Sequence, residues 1–209
     1  MKSYRSPWWL PGGHLQTIWP ALYAKRFSNA PVEWRRERWT TPDQDFVDVD
    51  FCEAAASDSA KPLLVLFHGL EGSSSSHYAE AFADWAVQNK CDLAIPHFRG
   101  CSGTLNTAPR AYHSGDHAEI DFFLRKFKQQ ADVAQRPGLV AAGVSLGGNA
   151  LMRWAGEQGQ EALKQVKAVA SICSPLDLAA SGKAIGEGFN RQVYTRMFLR
   201  SMKPKALAK

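Results

Sequence analysis

Six residues, Gly143-Val144-Ser145-Leu146-Gly147-Gly148, restrict this chain more than any other stretch. The apolar residues 139–142 lead into them, and a helix-compatible stretch, residues 149–157, leaves. The pattern G-x-S-x-G between a strand and a helix is the setting of a nucleophile elbow, where a serine sits on a sharp turn at the end of a strand. Glycines at 143 and 147 suit that turn because neighbouring backbones pass close to the serine. An ordinary Ser-Gly loop would show the same five letters; the strand before and the helix after favour the elbow.

Strands and helices alternate around it. Residues 63–67 and 91–95 are short apolar runs suited to strands buried on both faces, and residues 139–142 and 166–172 continue the series. Residues 77–89 place Tyr78, Phe82, Trp85 and Ala86 on one helical face. Asp116 and Glu119 read as a capping box for a helix carrying Ile120, Phe123, Leu124 and Phe127. Residues 32–39 and 46–51 alternate in polarity about the turn-forming Thr41-Pro42-Asp43-Gln44, which predicts an antiparallel pair opening the sheet. Residues 54–60 read as a small-residue loop. The expected fold class is α/β, a mostly parallel doubly wound sheet with antiparallel amino-terminal strands. No period of 20–50 residues recurs, so a repeat architecture is excluded.

The two ends differ from this middle. Trp8, Trp9, Trp19, Trp34 and Trp39 fall within the first 39 residues, and Pro7, Pro11, Gly12, Gly13 and Pro20 interrupt regular structure there. Residues 6–20 therefore read as an irregular segment that covers the core or an edge strand with its rings. The functional alternative is an apolar substrate entrance or a weak peripheral membrane contact, where tryptophan is favoured. Residues 1–10 hold no continuous apolar run and no small-residue cleavage site, which argues against a secretory signal and for a cytoplasmic protein. The scattered cysteines 52, 91, 101 and 173 fit free thiols in a reducing compartment better than disulfides or a zinc site.

At the other end Phe189, Val193, Met197 and Met202, flanked by Tyr194 and Phe198, predict an amphipathic helix bearing Arg191, Arg196, Arg200 and Lys203. Residues 1–145 hold 15 Lys/Arg against 16 Asp/Glu, whereas residues 146–209 hold 10 against 4. This basic end reads as a solvated helix face in preference to a site for an acidic partner or membrane lipid. No nucleic-acid-binding motif accompanies it.

Acyl transfer by a serine needs a base, an acid to orient that base, and an oxyanion hole. In a strand–serine–helix turn the hole uses the amide after the serine plus one from the loop after an earlier strand. Those are Leu146 and, at the tip of residues 63–67, Leu70; Gly69 and Gly72 let that backbone approach a ligand. His68, fixed at the strand tip, suits a loop-orienting role better than that of general base. His113 and His117 could share a helical face as metal ligands, but Gly115 and a capping Asp116 place His113 before the helix, and no metal is expected.

Residues 11–17 (PGGHLQT), 68–73 (HGLEGS), 98–103 (FRGCSG), 113–116 (HSGD) and 143–149 (GVSLGGN) together resemble the YheT-like branch of the α/β-hydrolase superfamily. The resemblance implies a carboxylic-ester hydrolase with Ser145 as nucleophile, a small-molecule acyl ester or lipid as substrate, and neither metal nor organic cofactor. It also implies a triad in the order Ser, Asp, His. All six histidines (His14, His68, His77, His97, His113, His117) precede Ser145, and the only aspartate after it is Asp177. In the family the acid and base lie further along, so Asp177 is not expected to be the triad acid. His97 and His113, near strand ends, are the upstream candidates to replace the base.

Residues 1–180 are then read as a partial α/β-hydrolase core, and residues 181–209 as the start of a cap or a carboxy-terminal amphipathic helix. The chain is expected to correspond to roughly the first two-thirds of such an enzyme. Its last strands would be missing, leaving an unpaired sheet edge prone to association. Without a base only residual activity is expected. The second reading is a non-catalytic protein that binds acyl ligands or a protein partner.

Overall fold

The computed structural model describes residues 4–24, 31–54, 58 and 60–209. Most of the 54–60 loop lies outside them. Six strands form one sheet: β1 (Arg35–Thr40), β2 (Phe46–Cys52), β3 (Leu63–Phe67), β4 (Leu93–Pro96), β5 (Leu139–Val144) and β6 (Ala168–Ile172), in the order β1-β2-β4-β3-β5-β6. β1 and β2 pair antiparallel, β2 joins β4 antiparallel, and β4, β3, β5 and β6 run parallel. The continuous apolar runs are the strands buried on both faces: every residue of β3 and of β4 is buried.

Among the described residues the α-helices are α1 (Gly12–Tyr23), α2 (His77–Gln88), α3 (His117–Val133), α4 (Leu146–Gln158), the short α5 (Ala162–Gln165), α6 (Leu178–Ile185), α7 (Gly188–Asn190) and α8 (Arg196–Leu207). A π-helical turn, Arg191–Thr195, joins α7 to α8. Helices α3 and α4 cover one side of the sheet with Ile120, Phe123, Leu124, Phe127, Leu151 and Trp154, all inaccessible to solvent. Helix α2 covers the other side, where Leu66, Leu93 and Ile95 receive it.

Three expectations are corrected. Residues 12–23 are helical where an irregular segment was expected. Pro11 stands outside as the cap residue, and Pro20 falls in the last turn, where its missing N–H removes one bond near the helix end and its carbonyl accepts from Ala24 N–H. Helix α2 buries Ala79, Ala83 and Ala86 and leaves Trp85 54% exposed, because the small side chains let the helix lie close on the sheet. The Asp116–Glu119 capping box does not form. Asp116 accepts from Arg110 and Glu119 from Arg99, ion pairs that compete successfully for both carboxylates. The alternation of residues 46–51 does not divide a buried from an exposed face: Asp48 and Asp50 are buried as well, because Arg38 and Arg36 lie directly opposite them on β1 and pair with both.

The region after Val166 is different. No residue beyond it is buried, and β6 pairs along β5 alone, with its residues exposed or half-buried.

Candidate active site

β5 carries the chain to Ser145, and α4 starts one residue later. Ser145 has φ 52° and ψ −116°, a conformation costing on the order of 1–3 kcal/mol that persists only where the surroundings impose it. Ser145 N–H donates to the Ile172 carbonyl at 2.9 Å, and its own carbonyl accepts from Asn149 N–H at 3.0 Å. A Cβ on Gly143 would lie 2.6 Å from backbone atoms of Gly147 and Gly148. One on Gly147 would collide with the Phe67 and His68 carbonyls, and one on Gly148 with the Ser174 hydroxyl. The serine turn closes because these three positions have no side chain.

The loop after β3, residues 68–72, packs on this turn. A Cβ on Gly69 would stand 3.3 Å from Cβ of Ser145. The loop backbone is fixed amide by amide: Gly69 N–H donates to the Tyr78 hydroxyl at 2.8 Å, Glu71 N–H to the Tyr112 hydroxyl at 2.9 Å, and Gly72 N–H to the Gly69 carbonyl at 2.9 Å. Leu70 N–H, between them, has no acceptor among the described residues. Leu146 N–H is the first of α4, in the turn where amides lack intrahelical acceptors. Two uncommitted amides on two segments that meet at a serine are the groups an oxyanion requires.

His68 is a neutral strut. It is wholly buried, with Nδ1 2.8 Å from the Gly69 carbonyl and Nε2 accepting from Phe98 N–H at 3.1 Å. Burial first, and neighbouring His97 second, hold its pKa down to about 3. The other upstream candidates are engaged as well. His97 faces Asp50 through Nε2 at 2.9 Å and the Cys101 carbonyl through Nδ1, while His113 lies on the surface against the Ser114 carbonyl and outside α3. The Ser145 hydroxyl has no hydrogen-bond partner among the described residues. Asp177 caps α6, its carboxylate accepting from Ala180 N–H at 2.8 Å. Ser74, Asp50 and His97 also meet, but both neighbours bond the same Asp50 oxygen and Ser74 is buried, so that trio is structural.

Helix α8 closes over the loop. Lys205 Nζ stands 2.7 Å from Glu71 Oε2, and the Tyr112 hydroxyl lies 2.7 Å from Glu71 Oε1. Glu71 itself has φ 56°. Burial raises its carboxyl, but Lys205, Tyr112 and Ser201 together hold it below the ordinary range. Between loop and helix opens a cleft of about 450 Å³ lined by Leu70, Glu71, Met197, Phe198, Arg200 and Ser201. Sequence reasoning missed Tyr78, Tyr112, Glu71 and Lys205. Tyr78 reads as part of an apolar helix face, and Tyr112 sits in a stretch with no periodicity. Among the described residues, no group of three or more His, Cys, Asp or Glu is placed to hold a metal ion.

Comparison with solved structures agrees with this architecture. An esterase from Pyrococcus furiosus superposes with a TM-score of 0.59 over 84% of this chain and 63% of its own, at 16% identity. Brefeldin A esterase, described as a bacterial homologue of human hormone-sensitive lipase, gives 0.59 over 77% and 45%, at 15% identity. The strand order, the serine turn and these neighbours define an α/β-hydrolase fold. In sequence, the chain is 37% identical to YheT of Escherichia coli, a protein assigned to the esterases by name, over 94% of this chain and 55% of YheT. It is 28% identical to human monoacylglycerol lipase ABHD2 over 82% of this chain and 40% of that protein. No family model matches the chain. The chain is similar to the YheT-like branch of the α/β-hydrolase superfamily over nearly its whole length, and it spans about half the length of the curated relatives it matches.

Proposed function

We propose that this chain is the core of a serine carboxylic-ester hydrolase acting on a small-molecule acyl ester or lipid. Ser145 is its nucleophile, and the amides of Leu70 and Leu146 are its oxyanion donors. The observation that carries the reading is the strained Ser145 turn, held against a loop in which Leu70 alone of residues 69–72 has a free amide. In the reaction Ser145 Oγ adds to the ester carbonyl, and the new oxyanion takes the two N–H groups. Collapse of the intermediate expels the alcohol and leaves an acyl-serine that water hydrolyses. Within this chain the Oγ proton passes to solvent, since no histidine reaches it, so turnover is residual. Residues 1–180 form the partial core, and residues 181–209 begin the cap that shapes the acyl cleft at Met197 and Phe198. A cytoplasmic location agrees with the four free cysteines, and no helix among the described residues is long and apolar enough to cross a membrane.

A second reading is a non-catalytic protein that binds acyl ligands or a protein partner; it draws on the Ser145 hydroxyl, which has no hydrogen-bond partner among the described residues. A fluorophosphonate probe separates the two. Slow labelling that disappears in Ser145→Ala is expected; no labelling of a folded sample after prolonged incubation overturns the catalytic reading.

A further inference from the structure

Glu71 is the strained point of the loop after β3. Its φ of 56° lies in a region that residues with side chains seldom occupy. One hydroxyl holds it there from two directions. The Tyr112 hydroxyl accepts from Glu71 N–H at 2.9 Å and donates to Glu71 Oε1 at 2.7 Å, so the proton and a lone pair of a single phenol are both spent on one residue. The Tyr112 ring is anchored independently of that hydroxyl. It stacks on Phe98 with centroids 5.4 Å apart and planes 10° from parallel, and Phe98 is buried with its N–H on His68 Nε2. At the near end of the loop the Tyr78 hydroxyl takes Gly69 N–H.

These contacts bear on the peptide between Gly69 and Leu70. It is trans, so its carbonyl and its N–H point in opposite directions. The Gly69 carbonyl accepts from Gly72 N–H at 2.9 Å and faces His68 Nδ1 at 2.8 Å. Since His68 Nε2 accepts from Phe98 N–H, Nδ1 carries the proton of the neutral ring and donates as well. Two donors on the carbonyl turn Leu70 N–H away from both, and Gly72 reaches that carbonyl only through the turn made at Glu71. We propose that Tyr112 is a positioning residue of the oxyanion hole: by closing on Glu71 through its amide and its carboxylate, it keeps Leu70 N–H presented beside Ser145. Without the hydroxyl Glu71 returns toward an ordinary φ, Gly72 N–H leaves the Gly69 carbonyl, and the 69–70 peptide is free to rotate. The role rests on the reading of Ser145 as nucleophile and of Leu70 N–H as oxyanion donor.

Labelling of Ser145 by a fluorophosphonate probe, followed across probe concentrations, tests the role. Tyr112→Phe keeps the ring and removes the hydroxyl. It should lower the maximal labelling rate about ten-fold and leave the half-saturating probe concentration unchanged, the split expected of a donor used only in the transition state. Glu71→Ala breaks the same pair from the loop side and should lower the maximal rate to a similar extent. The double variant should be no slower than either single one, because the two side chains act as a unit. Glu71→Gln keeps an acceptor for the Tyr112 hydroxyl and should retain most of the wild-type rate. Native circular dichroism at the assay temperature is the folding control; if Tyr112→Phe does not fold, the contrast between Glu71→Ala and Glu71→Gln decides. Equal rates in wild type, Tyr112→Phe and Glu71→Ala overturn the role and leave the hydrolase reading standing, as does a double variant whose loss is the product of the single losses. A folded wild type that never labels overturns the hydrolase reading and the role with it.

Discussion

Among the described residues, every buried apolar side chain lies between Leu10 and Val166; beyond Val166 none is buried. Both regions have regular structure, and both carry apolar residues at helical spacing. The difference lies in what the elements face. Strands β3, β4 and β5 are covered on both sides by α2, α3 and α4, whereas β6 and the helices after it touch the rest through few groups. Besides the ladder of β6 along β5, these include the Ile172 carbonyl, the Asn149 side chain on the Pro175 carbonyl, the Lys205–Glu71 ion pair, Lys209 on the Ala108 and Arg110 carbonyls and the His14 contacts. Secondary structure is therefore poor evidence of contribution to the core, and the two regions should respond differently to the same kind of substitution.

The largest expected contrast is between two apolar truncations. Trp154 is wholly buried, and its ring N–H donates to Asp121 at 3.0 Å. Trp154→Ala should cost about 3–5 kcal/mol in urea unfolding. Leu207, 88% exposed, should cost less than about 0.5 kcal/mol when replaced by alanine. Comparable losses would mean that α8 unfolds as one unit with the sheet. The serine turn sharpens the point, since its glycines are as enclosed as Trp154. Gly143→Ala puts a methyl 2.6 Å from backbone that cannot retreat, and a loss of about 3 kcal/mol or more is expected in the same measurement. A stability change near zero would show that the turn relaxes and that the backbone of Ser145 is not held by packing.

The buried region was also the legible one. The runs at 63–67 and 139–142 became β3 and β5 because an apolar run buried on both faces needs no partner-specific information. Ile120, Phe123, Leu124 and Phe127 were placed in the core by their spacing for the same reason. The glycines of the serine turn were legible because few other residues fit between crossing backbones. What escaped were choices among polar partners. The burial of Asp48 and Asp50 does not follow from the alternation of residues 46–51, because the register that sets Arg38 and Arg36 opposite them depends on pairing across a turn. Asp116 and Glu119 read as a cap because Arg99 and Arg110 arrive from loops distant in sequence or without pattern. The free amide of Leu70 could be expected from its place after β3. The tyrosine hydroxyls that occupy its neighbours could not, since long-range hydrogen bonds leave no periodic trace.

The strut at His68 gives the buried region a pH dependence that the exposed region lacks. Its pKa falls to about 3 in the folded chain from an ordinary 6.5. Between these values the unfolded chain binds a proton that the folded chain refuses, so stability is full above pH 6.5 and declines as pH falls, by about 1.4 kcal/mol per pH unit. The carboxyls of Asp45 and Asp50 are lowered against their burial by hydrogen bonds, so their contribution is lost only at more acid pH, below the ordinary carboxylate range. Urea midpoints at about pH 7.5 and about pH 5 should differ clearly for the native sequence and much less for His68→Asn. An equal pH response in the variant would remove His68 as the cause.

The smallest expected effect separates the regions most cleanly, because it uses one substitution in two helices. Gly156 in α4 and Gly182 in α6 both lie in helix interiors, and a Cβ at either would meet no atom within 4 Å. Alanine at each should favour its helix by about 0.5–1 kcal/mol, since glycine loses more backbone freedom on folding. Helix α4 packs on the core, so Gly156→Ala should raise the global unfolding midpoint by that amount. Helix α6 has no buried residue. Gly182→Ala should therefore slow amide hydrogen exchange within residues 178–185 and leave the global midpoint unchanged, the behaviour of an element that opens on its own. An equal rise of the global midpoint in both variants would show that the exposed region shares the cooperativity of the core, and the division at Val166 would then describe burial alone.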